Sequence, residues 1–245
     1  MSTFRPVYAY RGIEVSEAGG VRREYPNKSS LLRVPTYHTL QFQTDEQGNR
    51  IVKTKDYGNL RVDELVARAF YGNPKNGQKF VIHKDKEKDH CWKDNLKWAT
   101  PYEYGEFHLN DSAVNKQGGF RMVGKDLYVN PQGEIEYQGK LMNKIDYLYD
   151  SDTDRHVAID PHVDIGRGKT NRLFIDDAVA EAFLPYPSTL LSPALIHKDN
   201  DYQNCALSNL QWVESNSKEY AAFQAQRKID IEKRNQELAI IFNGH

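Results

Sequence analysis

Two stretches of the sequence decide the fold, because they are variants of one pattern. Residues 81–98 read VIHKDKEKDHCWKDNLKW, and residues 195–212 read LIHKDNDYQNCALSNLQW. His, Lys, Asp, Cys, Asn, Leu and Trp recur in register at an offset of 114 residues. Each stretch begins as an apolar run of strand character that ends at a histidine. The sequence therefore indicates one unit that is used twice.

The sequence that flanks these stretches repeats as well. Residues 62–70 read VDELVARAF and residues 175–183 read IDDAVAEAF, both with apolar positions at helical spacing. Upstream of each helix, short segments rich in Tyr, Val and Thr alternate with turn residues, which predicts small antiparallel strands. We therefore expect an α+β fold with two tandem modules, residues 1–115 and 116–245, joined by a linker near 110–119.

Two further helices are expected outside the repeated part. Thr100 and Pro101 predict the cap and the first residue of a short helix. A charged helical pattern over about 216–242 predicts a long C-terminal helix. This helix either packs across its own domains or recruits a protein partner.

Composition and charge narrow the class of protein. The chain has 245 residues, a net charge of −1 and 39% hydrophobic residues. Residues 1–120 contain 19 Lys and Arg against 15 Asp and Glu, and the remainder contains 14 against 19, so the first copy is the better candidate for phosphate contacts. Because there is no apolar leader and no apolar run of about 18 residues, we expect a soluble intracellular protein without membrane contact.

The two cysteines occupy equivalent places in the two copies. Cys91 and Cys205 each lack a second cysteine nearby. This pattern favours a repeated small buried position over a disulfide or a zinc cluster.

Residues 81–98 and 195–212, with the helix and strands that precede them, resemble the HNH homing-endonuclease family. Its ββα-metal module has a strand ending in His, a loop, an Asn-Leu-x-Trp segment and a helix. The resemblance implies that His83 and His197 match the general base that activates water against a phosphodiester. Asn95 and Asn209 match the motif asparagine, which we expect to brace the loop through hydrogen bonds. The family's chemistry also requires a divalent cation at the scissile phosphate.

The positions that hold this cation in the family are altered here. They lie immediately before the general base and about nine residues after the motif asparagine. They carry Ile82 and Tyr104 in the first copy, and Ile196 and Lys218 in the second. Because isoleucine offers no lone pair and lysine brings a positive charge, we expect vestigial histidines, no metal, no cofactor and no enzymatic activity. The nearest alternative ligands are His90 and two residues expected to cap the loop, Asp85 and Asp199.

If the scaffold is kept without its chemistry, binding of nucleic acid is the expected remaining function. The candidate binding residues are basic or aromatic side chains in and near the motifs: Arg22, Arg23, Lys84, Lys86, Lys88, Trp92, Lys93, Lys97, Lys198 and Tyr202. Trp92 and Tyr202 are expected to be exposed and to stack on unpaired bases, which favours single strands or RNA. The Asp and Glu residues between the lysines leave open a solvated charged loop without a ligand.

The resemblance also implies an origin for the protein, and two competing functions stay open beside nucleic-acid binding. HNH-like proteins are frequent in bacteriophages, which implies a phage protein in the cytoplasm of the infected bacterial cell. A tandem pair without metal ligands is similar to RNA-binding proteins of the nucleus-like compartment of jumbo phages, which favours sequence-nonspecific single-stranded RNA over DNA. Two alternatives stay open: an active metal-dependent HNH endonuclease with unconventional ligands, and an adaptor that contacts a protein partner through the acidic second half and the C-terminal helix.

Overall fold

The computed structural model describes residues 3–25, 35–166 and 172–243. The chain forms two compact units, Met1–Ala99 and Thr100–His245. Each combines small antiparallel sheets with helices, which confirms the α+β class. The division into modules at residue 115 stays a prediction, and the expected linker, residues 110–119, lies inside the second unit.

In the first unit, two antiparallel sheets precede a helix and a hairpin. The first sheet contains β1 (Phe4–Pro6), β2 (Ile13–Ser16), β3 (Val21–Tyr25) and β4 (Thr36–Thr39), and the second contains β5 (Phe42–Thr44), β6 (Arg50–Thr54) and β7 (Gly58–Arg61). Helix α1 (Val62–Tyr71) follows β7 directly. Strand β8 (Phe80–His83) then pairs with β9 (Leu96–Ala99), with His83 opposite Leu96. One 3₁₀ turn, Lys93–Asn95, leads into β9.

The second unit starts with a short helix and then has the same order of elements. The short helix is α2 (Pro101–Phe107), which is followed by a 3₁₀ turn at Gln117–Gly119. The two sheets contain β10 (Arg121–Gly124), β11 (Leu127–Val129), β12 (Ile135–Tyr137) and β13 (Lys140–Leu141), and β14 (Ile145–Asp150), β15 (Arg155–Asp164) and β16 (Arg172–Phe174). Helix α3 (Ile175–Phe183) precedes the hairpin of β17 (Pro193–His197) and β18 (Leu210–Glu214), with a 3₁₀ turn at Leu207–Asn209. The long helix α4 (Lys218–Asn243) ends the described chain.

Each unit has its own apolar core around its middle helix. In α1, Leu65 and Val66 are buried and the helix packs against β2, β6 and β7. Asp63 and Glu64 in its first turn favour the positive end of the helix dipole. Ala178 and Val179 occupy the equivalent buried face of α3. Cys91 and Cys205 are buried and free, as the sequence predicts.

Local signals set the start of α2. The Thr100 hydroxyl accepts a hydrogen bond from the Glu103 backbone N–H at 3.2 Å, and the Glu103 carboxylate accepts one from the Thr100 N–H at 2.9 Å. Pro101 takes the first helical position. This capping box confirms the short helix expected from Thr100 and Pro101.

Helix α4 packs against its own unit along β15. Arg227 pairs with Asp160, and Arg234 pairs with Asp146 at 2.8 Å. The side chain of Asn235 accepts a hydrogen bond from the Ala158 backbone. The predicted long helix is thus confirmed. No helix in the described part of the chain is both long enough and apolar enough to span a membrane.

Candidate functional site

The loop of the first hairpin is held by a buried asparagine. Asn95 accepts a hydrogen bond from the Asp85 N–H at 3.1 Å, and its amide donates to the Asp85 carboxylate at 2.9 Å and to the His90 carbonyl at 2.8 Å. Asn95 is 5% exposed, so these bonds satisfy an amide that has little access to water. Asn95 braces the loop, as expected.

The second hairpin uses the same hydrogen bonds. Asn209 accepts from the Asp199 N–H at 3.0 Å, and donates to the Asp199 carboxylate at 2.9 Å and to the Asn204 carbonyl at 2.8 Å. The lysine after each histidine also closes its loop. The ammonium of Lys84 donates to the Asp94 carbonyl at 2.6 Å, and that of Lys198 donates to the Ser208 carbonyl at 2.9 Å.

The two aspartates weighed as alternative ligands are part of this bracing. Burial opposes ionisation of Asp85, but hydrogen bonds from the Glu87 backbone, His90 and Asn95 lower its pKa to about 2. The His90 ring lies 2.7 Å from the second oxygen of that carboxylate. Both oxygens of Asp199 likewise accept hydrogen bonds within the loop. Asp85 and Asp199 therefore cap their loops.

His83 ends β8 and is only 5% exposed. Its Nε2 lies 3.8 Å from a carboxylate oxygen of Asp63 and 4.0 Å from the Cys91 sulfur. Burial lowers the pKa of His83 below its ordinary value, and the attraction of Asp63 does not reverse this shift. Arg61 binds the Asp63 carboxylate through two nitrogens, at 3.1 and 2.5 Å, which weakens its attraction for the histidine. The surroundings of His83 therefore favour the neutral imidazole.

His197 has the same place on β17 but different partners. Its Nδ1 lies 3.0 Å from the carbonyl oxygens of both Asp201 and Asn204, so Nδ1 carries a proton. Its Nε2 lies 3.3 Å from the Asp176 carboxylate, and its ring stacks on Phe223. Burial by itself lowers the pKa of His197, but Asp176 and the two carbonyls outweigh burial and raise it. The environment therefore favours the imidazolium.

These hairpins do not fit the divalent cation that the resemblance implies. Ile82, immediately before His83, is 5% exposed and part of the core. Both ring nitrogens of His197 have partners, which leaves neither a free lone pair for a ligand nor a ready site for a proton from water. Within residues 3–25, 35–166 and 172–243, no group of three or more His, Cys, Asp or Glu side chains is placed to hold a metal ion.

Three of the predicted basic residues are paired with carboxylates. Arg22 binds Glu14 at 2.6 Å and lies between the rings of Phe4 and Tyr37. Arg23 binds Asp56. Lys93 binds Glu17 at 2.7 Å. Their charges are partly neutralised, which makes these residues weaker candidates for phosphate contacts.

Two other predicted lysines, Lys84 and Lys88, donate to neutral backbone carbonyl groups. Lys88 donates to the Gln47 carbonyl at 3.0 Å, as Lys84 does to that of Asp94. Lys86 lies at the tip of the loop with a left-handed φ of 69°. Lys97 is exposed on β9.

The structure brings two of the predicted residues together in a groove of the first unit. The groove has a volume of about 400 Å³ and is lined by Tyr71, Gln78, Lys84, Leu96, Lys97 and Trp98. Tyr71 is 47% exposed, and its hydroxyl donates to the Lys93 carbonyl at 2.6 Å. We call this set of six residues the α1–β9 groove. The sequence did not predict Tyr71 and Gln78 as site residues. Tyr71 could have been found from its position directly after the repeated Ala-x-Ala-Phe pattern.

The two candidate stacking residues differ in exposure. Trp92 is 41% exposed, and its ring lies 4.6 Å from that of His90. Tyr202 is only 4% exposed. The expectation that Tyr202 is an exposed stacking residue is therefore wrong, because α4 residues such as Phe223 line the same cavity as its ring.

Comparisons with known proteins give one structural match. No protein-family model and no curated protein matches the chain. A solved structure described as "DNA binding and cleavage by the HNH homing endonuclease I-HmuI" matches at 26% identity and a TM-score of 0.35. The match covers 46% of this chain and 61% of that endonuclease chain.

Proposed function

We propose that the first unit binds single-stranded nucleic acid through the α1–β9 groove and does not cut it. The observation that carries this proposal is the groove itself. It is lined by an exposed tyrosine and two exposed lysines, Lys84 and Lys97, together with the buried side chains of Leu96 and Trp98.

The chemistry of the groove suits a strand with unpaired bases. Lysine ammonium groups bind phosphates and release counterions, which supplies affinity that does not depend on sequence. An aromatic ring stacks on any base, because every base has a π-face. The Tyr71 hydroxyl donates a hydrogen bond to the Lys93 carbonyl, which holds the ring in place. Little side-chain freedom is therefore lost on binding.

The two units differ in net charge and in the kind of side chain they expose, and this difference favours the first unit as the one that binds nucleic acid. Residues 1–99 contain 18 Lys and Arg against 12 Asp and Glu, a net charge of +6. Residues 100–245 contain 15 against 22, a net charge of −7. Among the described residues, the exposed large hydrophobic side chains of the first unit are all aromatic: Tyr8, Tyr25, Tyr37, Phe42, Tyr57, Tyr71 and Trp92. Those of the second unit are mostly aliphatic.

The absence of cleavage is part of the proposal. Ile82 and Ile196 precede the two histidines, and each histidine is buried with partners that suit a structural role. The alternative of an active endonuclease requires a free base and a bound cation at these hairpins. A preference for RNA over DNA, a phage origin and a place in the infected bacterial cytoplasm stay predictions from the resemblance.

Fluorescence anisotropy with labelled single-stranded RNA, single-stranded DNA and duplex DNA tests the proposal. Each titration is run over a series of salt concentrations, once with EDTA and once with Mg²⁺, and the strands are checked on a denaturing gel. We expect single strands to bind more tightly than duplex, equally with EDTA and Mg²⁺, and to stay intact. Cleaved product in Mg²⁺ would support the endonuclease instead.

A pair of variants locates the site. The double variant Lys84→Gln/Lys97→Gln should weaken single-strand binding about tenfold and reduce the slope of log K against log salt by about 1.4, since each lost phosphate contact contributes about 0.7. The matched control Lys53→Gln/Lys55→Gln removes the same charge from exposed sites of the same unit outside the groove. If both double variants lose the same single-strand affinity, the binding is due to general electrostatic attraction and not to the groove.

A further inference from the structure

Helix α4 has one side that packs on the second unit and one side that faces solvent. On the packed side, Phe223 and Leu238 are buried, and Arg234 pairs with Asp146 at 2.8 Å. On the other side, exposed residues recur every three or four positions, which places them on one face of the helix. They are Ala222, Ala225, Ile229, Glu232, Gln236 and Ile240. We call these six residues the α4 outer face.

The α4 outer face exposes two large apolar side chains to water. Ile229 is 58% exposed and Ile240 is 75% exposed. The exposed Ala222 and Ala225 leave room beside the helix for side chains of a partner. Burial of these four residues against a partner would remove apolar area from water and so stabilise a complex.

Four charged side chains lie on or beside this face, and all are exposed: Lys228, Glu232, Lys233 and Glu237. Within the described part of the chain, none of the four forms an ion pair or a side-chain hydrogen bond. In both possible pairs within the helix, the lysine precedes the glutamate by four residues, which is the less favourable order for such a pair. These charges are therefore available to a partner.

A second copy of α4 is complementary to this face when it runs antiparallel. About a two-fold axis near position 230, residues at equal distances before and after that position meet. Lys228 of each copy then lies beside Glu232 of the other copy, and the two Ile229 side chains meet at the axis. A parallel pair would instead place Lys228 beside Lys228 and Glu232 beside Glu232, and like charges repel.

We infer that the chain forms a two-fold dimer in which the α4 outer faces of two copies pack antiparallel. Ile240 of each copy packs on Ala222 of the other, a large side chain against a small one. The contact extends over about 27 Å of helix, because an α-helix rises about 1.5 Å per residue. A single helix face is smaller than a standard protein interface, so the dimer dissociates on dilution. It forms without nucleic acid.

Sedimentation velocity of the full-length protein without nucleic acid tests this inference. As the concentration rises, we expect the mass to increase from that of one chain toward that of two. Ile229→Lys and Ile240→Lys should each raise the dissociation constant of the dimer about tenfold or more. The matched control is Ile241→Lys, which should leave it unchanged. Ile241 is 59% exposed but lies about 100° around the helix from Ile240.

Charge reversal tests the antiparallel orientation. Lys228→Glu and Glu232→Lys should each weaken the dimer about threefold or more, because each places like charges together across the interface. The double variant Lys228→Glu/Glu232→Lys restores opposite charges and should recover the affinity of the parent protein. Circular dichroism shows that each variant keeps its helix content. A monomer at every concentration, equal effects of Ile240→Lys and Ile241→Lys, no effect of either single charge reversal, or no recovery in the double variant would overturn the inference.

Discussion

The histidines of the two hairpins occupy equivalent positions but have opposite electrostatic surroundings. Asp63 and Asp176, each the second residue of its helix, face His83 and His197 respectively. In the first unit Arg61, which precedes α1, binds Asp63 and weakens its attraction for the histidine. The equivalent residue before α3 is Phe174, so Asp176 is left to pair with His197. This substitution beside the helix, together with the two backbone carbonyls that face His197, accounts for the difference in pKa direction.

This difference predicts opposite pH dependence for two matched variants. The pKa of His197 is raised in the folded state, so its contribution to stability is full below the unfolded value of about 6.5 and is lost as pH rises through the folded pKa. The pKa of His83 is lowered, so the protein loses stability as pH falls from about 6.5 toward the folded pKa. His197→Gln should therefore be most destabilising at acidic pH, and His83→Gln least destabilising there.

Urea unfolding of both variants and the parent protein between pH 5 and pH 8 measures how each substitution changes the free energy of unfolding with pH. Direct titration of the two imidazole C–H signals by NMR provides an independent check. A difference in stability that changes with pH in the same direction for both variants would contradict the assignment of these environments.

The hairpin with its braced loop is the structural element that both units share. Asn95 makes three hydrogen bonds inside a loop that otherwise has little regular structure. Asn95→Ala removes all three, so that the Asp85 N–H and the His90 carbonyl lose the partner that Asn95 provides. We expect a loss of about 2–3 kcal/mol in the free energy of unfolding, and a similar loss for Asn209→Ala.

The exposed Asn59 of β7 provides the control, and Asn59→Ala should change stability by less than about 0.5 kcal/mol. Tryptophan fluorescence separates the units, because Trp92 and Trp98 report on the first and Trp212 on the second. If the losses for Asn95→Ala and Asn209→Ala are as small as that of the control, the loops do not depend on these asparagines.

The elements that could be predicted from the sequence are those with local signals. Helix α2 follows from a Thr-Pro cap, α1 and α3 from apolar periodicity, and α4 from its long charged helical pattern. The groove could not be predicted, because Tyr71 approaches Lys84 and Lys97 only when α1 packs beside the β8–β9 hairpin. The burial of Tyr202 depends on α4, which joins the same cavity from more than fifteen residues further along the chain. The carboxylates that bind Arg23 and Lys93 are also distant in sequence, at Asp56 and Glu17.

The whole molecule divides its charge and its exposed apolar surface between two units. The first has a net charge of +6 and exposes aromatic rings, which suits a nucleic-acid strand. The second has a net charge of −7, and its exposed large hydrophobic side chains among the described residues are mostly aliphatic.

The central claim is that the first unit holds a single strand in the α1–β9 groove. Photo-cross-linking with a 4-thiouridine RNA oligonucleotide in EDTA, followed by mass spectrometry of the cross-linked peptides, measures this directly. We predict adducts on peptides between Tyr71 and Trp98, lost in Lys84→Gln/Lys97→Gln and kept in Lys53→Gln/Lys55→Gln. Adducts confined to residues 100–245 would contradict the claim.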